Sequence, residues 1–196
     1  TALVGLGACT WVGTVAAVWL LFFSDWTLDV LNAPDSVAVL AGTYLPLLAV
    51  AALLEAYNLV MASILRAHLY ARDTLFVMLT MHATHLALAF PLMLGVGDWD
   101  GLGLPGYALA LTLSRAAGLA LHLWLWRRRM NLVPGQRDWW HCPARALMPV
   151  LRIGVPGASL ELAYRIAFLM SLSAAARLGV AELATQAYVL QTLRYV

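Results

Sequence analysis

A polytopic bundle of membrane-spanning α-helices is the fold class this sequence predicts, and three observations predict it. Of the 196 residues, 63% are hydrophobic and only 11% charged, whereas a soluble domain is roughly half apolar and about a quarter charged. The apolar residues gather into long runs comparable with the roughly 20 residues a helix needs to cross a bilayer, and mean hydropathy is +0.81. The basic residues are all arginine, and most stand in the polar breaks between runs, as they do in short cytoplasmic loops.

The first span is residues 2–23, which carry no charge. Asp25, Asp29 and Asp35 then mark an acidic loop, whose stretch Asn32-Ala33-Pro34-Asp35-Ser36 can turn the chain and cap the next helix. Residues 37–65 form the second span, long enough to require tilt. Pro46 removes one of its backbone hydrogen bonds and predicts a kink. The short basic turn around Arg66 and Arg72 leads into residues 75–97, so the second and third spans are antiparallel neighbours. A glycine-rich loop with Asp98, Trp99, Asp100 and Pro105 follows.

Residues 107–126 are the fourth span, closed by Trp124, Trp126 and the triplet Arg127-Arg128-Arg129. Aromatic residues followed by arginines mark a water boundary on the cytoplasmic side. Residues 131–148 are the longest polar stretch and read as a linker with an amphipathic piece on the membrane surface. Residues 153–176 are the fifth span, and residues 183–196 begin a sixth. The chain starts at Thr1 within an apolar run and reaches Val196 in mid-helix, which reads as a fragment of a longer polytopic protein.

Eight arginines, Arg66, Arg72, Arg127, Arg128, Arg129, Arg137, Arg145 and Arg152, fall on one side of this topology, with Arg177 on the other. The first side is therefore cytoplasmic. Loop orientation accounts for the basic pI of 8.7, so it is no argument for nucleic acid. Cys9 and Cys142 form neither a disulfide framework nor a metal spacing. No nucleophile elbow, phosphate loop or zinc-protease motif is present.

Ionisable residues within spans are costly, at least about 2.5–3.5 kcal/mol at the helix centre, and they normally face the bundle interior. Glu55 lies eleven residues before Arg66, about 16 Å along a helix and so near the midplane. Asn58 is one turn on, on the same face. Glu55 is either a coupling carboxylate or a buried acid hydrogen-bonded to Asn58 or to a neighbouring helix. Glu161 and Arg165 have the i, i+4 order that favours a helical ion pair, which is either structural or part of a cavity-facing site. Tyr164 beside them is a further cavity-lining or structural candidate. Arg115, next to Ser114 and one heptad before His122, calls for an internal partner such as a helix-terminal carbonyl, or else a substrate. His82 and His85 share one face, with His85 as a polar lining residue and a metal or haem pair as the other reading.

Four segments resemble the multidrug and toxic compound extrusion (MATE) family of exporters. Leu65-Arg66-Ala67-His68-Leu69-Tyr70-Ala71-Arg72 is similar to that family's "LRAxGxTR" turn, with Leu69 where a glycine is usual. Gly103-Leu104-Pro105-Gly106-Tyr107-Ala108-Leu109-Ala110 resembles the "GvxGaAlA" start of its sixth helix, with Ser114-Arg115 following at the expected distance. Ile153-Gly154-Val155-Pro156 resembles the "lGlP" start of its seventh, and Leu178-Gly179-Val180-Ala181-Glu182-Leu183-Ala184 the "lGxxxlA" start of its eighth.

In that register the chain runs from the family's third helix to the start of its eighth. Residues 1–130 would belong to an N-terminal lobe, 131–148 to an inter-lobe linker and 149–196 to the start of a C-terminal lobe. Where members show Asn and, four residues on, Asp or Asn, this chain has His85 and Ala89. The resemblance implies a bacterial inner-membrane antiporter without enzymatic activity or cofactor. It would exchange H+ or Na+ for small, amphipathic, cationic organic substrates among membrane lipids. A lipid-linked oligosaccharide flippase or polysaccharide exporter of related architecture is the nearest alternative, although such proteins line their cavity with many basic residues. An intramembrane enzyme built on His82 and His85 is the alternative of another class.

Overall fold

The computed structural model describes residues 2–193. It is helical throughout, with α1 (Ala2–Phe22), α2 (Ser24–Val30), α3 (Asp35–Ala67), α4 (Ala71–Leu94), α5 (Leu104–Met130), α6 (Ala144–Ala176) and α7 (Val180–Leu193). Five stretches are long and apolar enough to cross a membrane: Leu3–Phe22, Ala38–Ala67, Ala71–Leu94, Leu104–Met130 and Gly154–Ala176. The polytopic helical bundle read from composition is therefore present, with its five full spans. Helix α7 opens the sixth, whose last expected residues, Arg194, Tyr195 and Val196, lie outside the described residues.

The structure differs from the expectation in two connections. The acidic loop after the first span contains the short helix α2, which ends in a tight cap. There the Ala33 N–H donates to the Leu28 carbonyl and the Asn32 N–H to that of Asp29, with Asn32 at φ 53°. The 131–148 stretch turns helical before its end. Leu147 N–H donates to the Pro143 carbonyl, and from Ala144 the chain is helical without a break into the fifth span. Proline starts a helix well because its missing N–H has no intrahelical partner there.

The helix ends follow from local chemistry. α3 closes in a Schellman motif: Tyr70 N–H reaches the Leu65 carbonyl at 2.9 Å and Leu69 N–H that of Arg66 at 3.0 Å. This requires a left-handed residue at position 69, where Leu69 has φ 66°. The usual occupant of such a site is glycine, because a Cβ is strained there. α5 ends on a left-handed Asn131, with Trp126 C=O accepting from Leu132 N–H. Between α4 and α5, Gly95, Gly97, Gly101 and Gly103 all have positive φ. That freedom lets Leu102 and Gly103 donate back to the Leu92 and Met93 carbonyls.

The chain sorts into two compact units: the part up to Leu21 with Thr43–Leu147, and Phe22–Gly42 with the part from Met148. In the first unit, contacts between helices set their directions. Thr10 bonds Tyr57 while Gly13 faces Leu53, so α1 and α3 are antiparallel. Thr112 lies on Leu47, His122 on Asn58 and Trp126 on Met61, so α3 and α5 run parallel. Gly106 faces Leu92, Gly118 faces Met81 and Arg129 binds Asp73, so α4 and α5 are antiparallel.

Lipid is as apolar as leucine, so such helices associate by close packing and need small residues at the seam. Gly106, Ala110, Ser114 and Gly118, spaced four apart along α5, are all buried and form that seam. Around it lies a core of Leu6, Tyr57, Met61, Leu65, Val77, Met81, Leu125 and Trp126. The segment after α5 joins this unit. Trp139 packs edge-on against Tyr57 at 5.1 Å and Trp140 against Trp11 at 6.1 Å. Gly7 leaves room for the His141 backbone.

In the second unit, Asn32 donates to the Ser173 hydroxyl at 3.1 Å, and Gln186 to that of Ser171 at 2.7 Å. These side chains tie α2 and α7 to α6.

Candidate functional site

The polar cluster follows from helix periodicity. Glu55 and Asn58 stand one turn apart on α3, and Arg115 and His122 two turns apart on α5. Because these helices are parallel neighbours, two short-range spacings become one four-residue constellation. Arg115 Nε lies 2.9 Å from Glu55 Oε2. The contact is an ion pair by distance, yet no hydrogen bond is directed onto that oxygen. Glu55 is therefore not bonded to Asn58, and Arg115 is held by a carboxylate instead of a helix-terminal carbonyl. The sequence could not place this pair because its members are sixty positions apart.

Asn58 is 3% exposed and has a different task. Its amide donates to the Arg115 backbone carbonyl at 2.9 Å, and its Oδ1 lies 2.9 Å from His122 Nδ1. A carbonyl only accepts, so the Asn58 NH2 must face Arg115 and its Oδ1 must face the imidazole. His122 Nδ1 then carries the hydrogen, which leaves Nε2 as an acceptor. That Nε2 is buried without a partner, as is Arg115 Nη1. The Glu55–Arg115 pair and the His122 imidazole are thus joined through Asn58, which bonds both the Arg115 backbone and His122 between α3 and α5. Gly118 belongs to the same construction, since a Cβ there would meet the Met81 thioether and approach Asn58 Oδ1. Ser114 does not contribute a ligand, because its hydroxyl donates to the Leu111 carbonyl at 2.7 Å.

The remaining candidates are dispersed. His85 stands edge-on to Tyr107 at 5.0 Å with its Nδ1 buried and unpartnered. His82 is exposed, so the two imidazoles do not turn to a common centre. Among the described residues no three metal-ligating side chains come together. In the second unit Arg165 donates to Glu161 at 2.8 Å, the pairing their spacing predicts. Both side chains are more than half exposed, and Tyr164 between them is 58% exposed. Glu161 and Arg165, but not Tyr164, edge a groove of about 430 Å³ with Val155, Ser159 and Leu162.

In the sequence His122 shares the Arg115 face, and nothing there assigns it a role. Its signal was a histidine one heptad from an intramembrane arginine. The Thr10–Tyr57 hydrogen bond of 2.7 Å had no comparable signal, because threonine and tyrosine are ordinary residues in apolar helices.

The chain is 23% identical over 187 residues to the uncharacterized transporter YisQ of Bacillus subtilis (strain 168), an alignment covering 95% of this chain and 41% of that protein. It therefore spans about two-fifths of the length of this curated relative. No family model and no solved structure matches it. Its apolar helices and this relationship mark the chain as an integral membrane protein distantly related to a transporter.

Proposed function

We propose that this chain works in a cation-coupled efflux antiporter. It would exchange H+ or Na+ for small, amphipathic, cationic organic compounds by alternating access between two helical lobes, in a bacterial inner membrane. One observation carries the reading. Glu55 and Arg115 form an ion pair in the middle of two apolar spans, with a buried guanidinium nitrogen of Arg115 left without a partner. Charges at such depth are costly and characteristically mark ion or substrate paths. Many transporters bind substrate and coupling ion near the midplane at the interface of their repeats. The kinship with a protein named a transporter supports the same class.

The pairing also bears on the alternative. A flippase for lipid-linked sugars needs mid-span cations free to meet phosphate. Arg115 already faces a carboxylate, which favours drug efflux. The proposal requires no enzymatic step and no cofactor beyond the coupling ion.

The test uses the full-length protein in proteoliposomes loaded with a fluorescent organic cation, with H+ or Na+ gradients imposed in turn. Wild type should move the dye only when one gradient is present. Glu55→Gln combined with Arg115→Gln removes both charges together, so the protein should insert and fold yet lose gradient-driven flux. Gradient-independent movement by wild type, or wild-type flux in the double variant, would refute the assignment.

A further inference from the structure

We propose that the groove at the end of α5, between Trp124, Arg127, Arg128 and Asn131, binds the headgroup of an anionic phospholipid from the cytoplasmic leaflet.

The three arginines at the end of α5 are not used alike. Arg129 is fully engaged: its Nε lies 2.8 Å from Asp73 Oδ2, its Nη2 donates to Oδ1 at 3.1 Å, and its guanidinium stacks over the Tyr70 ring at 5.7 Å. It fastens α5 to α4. Its two neighbours have no such partner. Arg128 lies over the Trp124 ring at 5.1 Å, and among the described residues neither Arg127 nor Arg128 has a carboxylate within ion-pair range.

Asp138, in the segment after α5, accepts the Gly135 N–H at 2.7 Å within its own turn and is in no ion pair among the described residues. Two cations are therefore left uncompensated on the face that the arginine asymmetry makes cytoplasmic. Helix periodicity alone would have spread them around α5. The left-handed Asn131 turns the chain away and leaves a groove of about 580 Å³ lined by Trp124, Arg127, Arg128 and Asn131.

The chemistry of the groove selects its ligand. Guanidinium groups present forked donors that match phosphate oxygens. An indole at the interface packs against glycerol and the first acyl carbons while its N–H stays in the polar layer. The Asn131 amide offers further donors to a headgroup. A compact organic cation would be repelled. The carbonyl end of α5 disfavours an anion here, because Arg127 and Arg128 stand in its last turn. Two arginines outweigh it, each strengthening association with an anionic leaflet by roughly fivefold.

The experiment compares the protein in phosphatidylcholine vesicles with and without phosphatidylglycerol. The readouts are lipid retained on the detergent-extracted protein by native mass spectrometry and the thermal unfolding midpoint. Wild type should retain phosphatidylglycerol in preference to phosphatidylcholine and unfold at a higher temperature when it is present. R127Q/R128Q should bind it roughly 25-fold more weakly, the product of two lost cations. R127K/R128K keeps the charges that orient the span. It should insert as wild type does and lose only part of the preference, which separates headgroup recognition from topology should the Gln pair fail to insert. Equal retention of the two lipids by wild type would overturn the proposal, as would undiminished preference in R127Q/R128Q. Stabilisation by inorganic phosphate equal to that by phosphatidylglycerol would also overturn it, by assigning the groove to a soluble anion.

Discussion

Glu55→Gln should destabilise the protein more than Glu55→Gln and Arg115→Gln together. At the 2.9 Å separation of the pair, an effective dielectric of about 20 gives a gross attraction of about 6 kcal/mol. Most of it is offset by desolvation of the two charges. What matters for a single variant is the charge left behind: breaking a buried pair costs about 3–5 kcal/mol, whereas replacing both members by neutral groups is often near neutral. Both side chains lie inside apolar spans, Arg115 15% and Glu55 35% exposed, so about 3–5 kcal/mol is expected for Glu55→Gln.

Arg115→Gln should cost a similar amount, because Glu55 is then a carboxylate without its cation. The double variant should lose about 1 kcal/mol, a coupling of several kcal/mol between the two sites. The Asn58 bond to the Arg115 backbone is unaffected by any of the three changes, which makes the cycle clean. Equilibrium unfolding of purified wild type, both single variants and the double variant in one detergent measures it. Additive effects, with coupling under about 0.5 kcal/mol, would show that the two charges do not depend on each other and would remove the basis of the candidate site.

Leu69→Gly relieves a left-handed leucine that is 91% exposed. The relieved strain exceeds the added unfolded-state entropy, so stability should rise by about 0.5–1 kcal/mol, read as a higher unfolding midpoint. Gly106→Ala sets a methyl against the Leu92 carbonyl and should cost about 1–3 kcal/mol by overpacking, with loss of α4–α5 proximity in cysteine cross-linking. Glu161→Gln leaves Arg165 without its carboxylate inside the span Gly154–Ala176, so stability should fall by about 3 kcal/mol. A change of no more than about 0.5 kcal/mol would mean that the pair faces water. Single cysteines at positions 34 and 98 should react with an impermeant reagent outside intact cells, while those at 71 and 136 should not. Labelling at 136 but not at 98 would invert the topology.

The sequence by itself determined the class of solvent, the number of spans and where most of them lie. Those properties depend on local apolar length and on arginine placement, and both are readable without knowing any contact. The helix ends were partly legible too. Leu69 was singled out as the residue occupying a glycine position, and the Schellman cap explains why a glycine suits it. The acidic residues 25–30 read as loop because their polarity masks a helix of only seven residues, too short for its periodicity to register. The docked tryptophans 139 and 140 read as linker because only their partners, Tyr57 and Trp11, show that they pack against helices.

The site divides in the same way. Glu161 and Arg165 were paired from spacing alone, since one helix fixes both ends of the contact. Glu55, Asn58, Arg115 and His122 were each visible as polar residues in apolar runs, but their partners were not. Which residue compensates Glu55 depends on α3 and α5 lying parallel and adjacent at one particular depth. That register is set by the small-residue seam of α5 and by the packing around Met61 and Trp126. It is a property of three-dimensional packing that no single stretch of sequence carries.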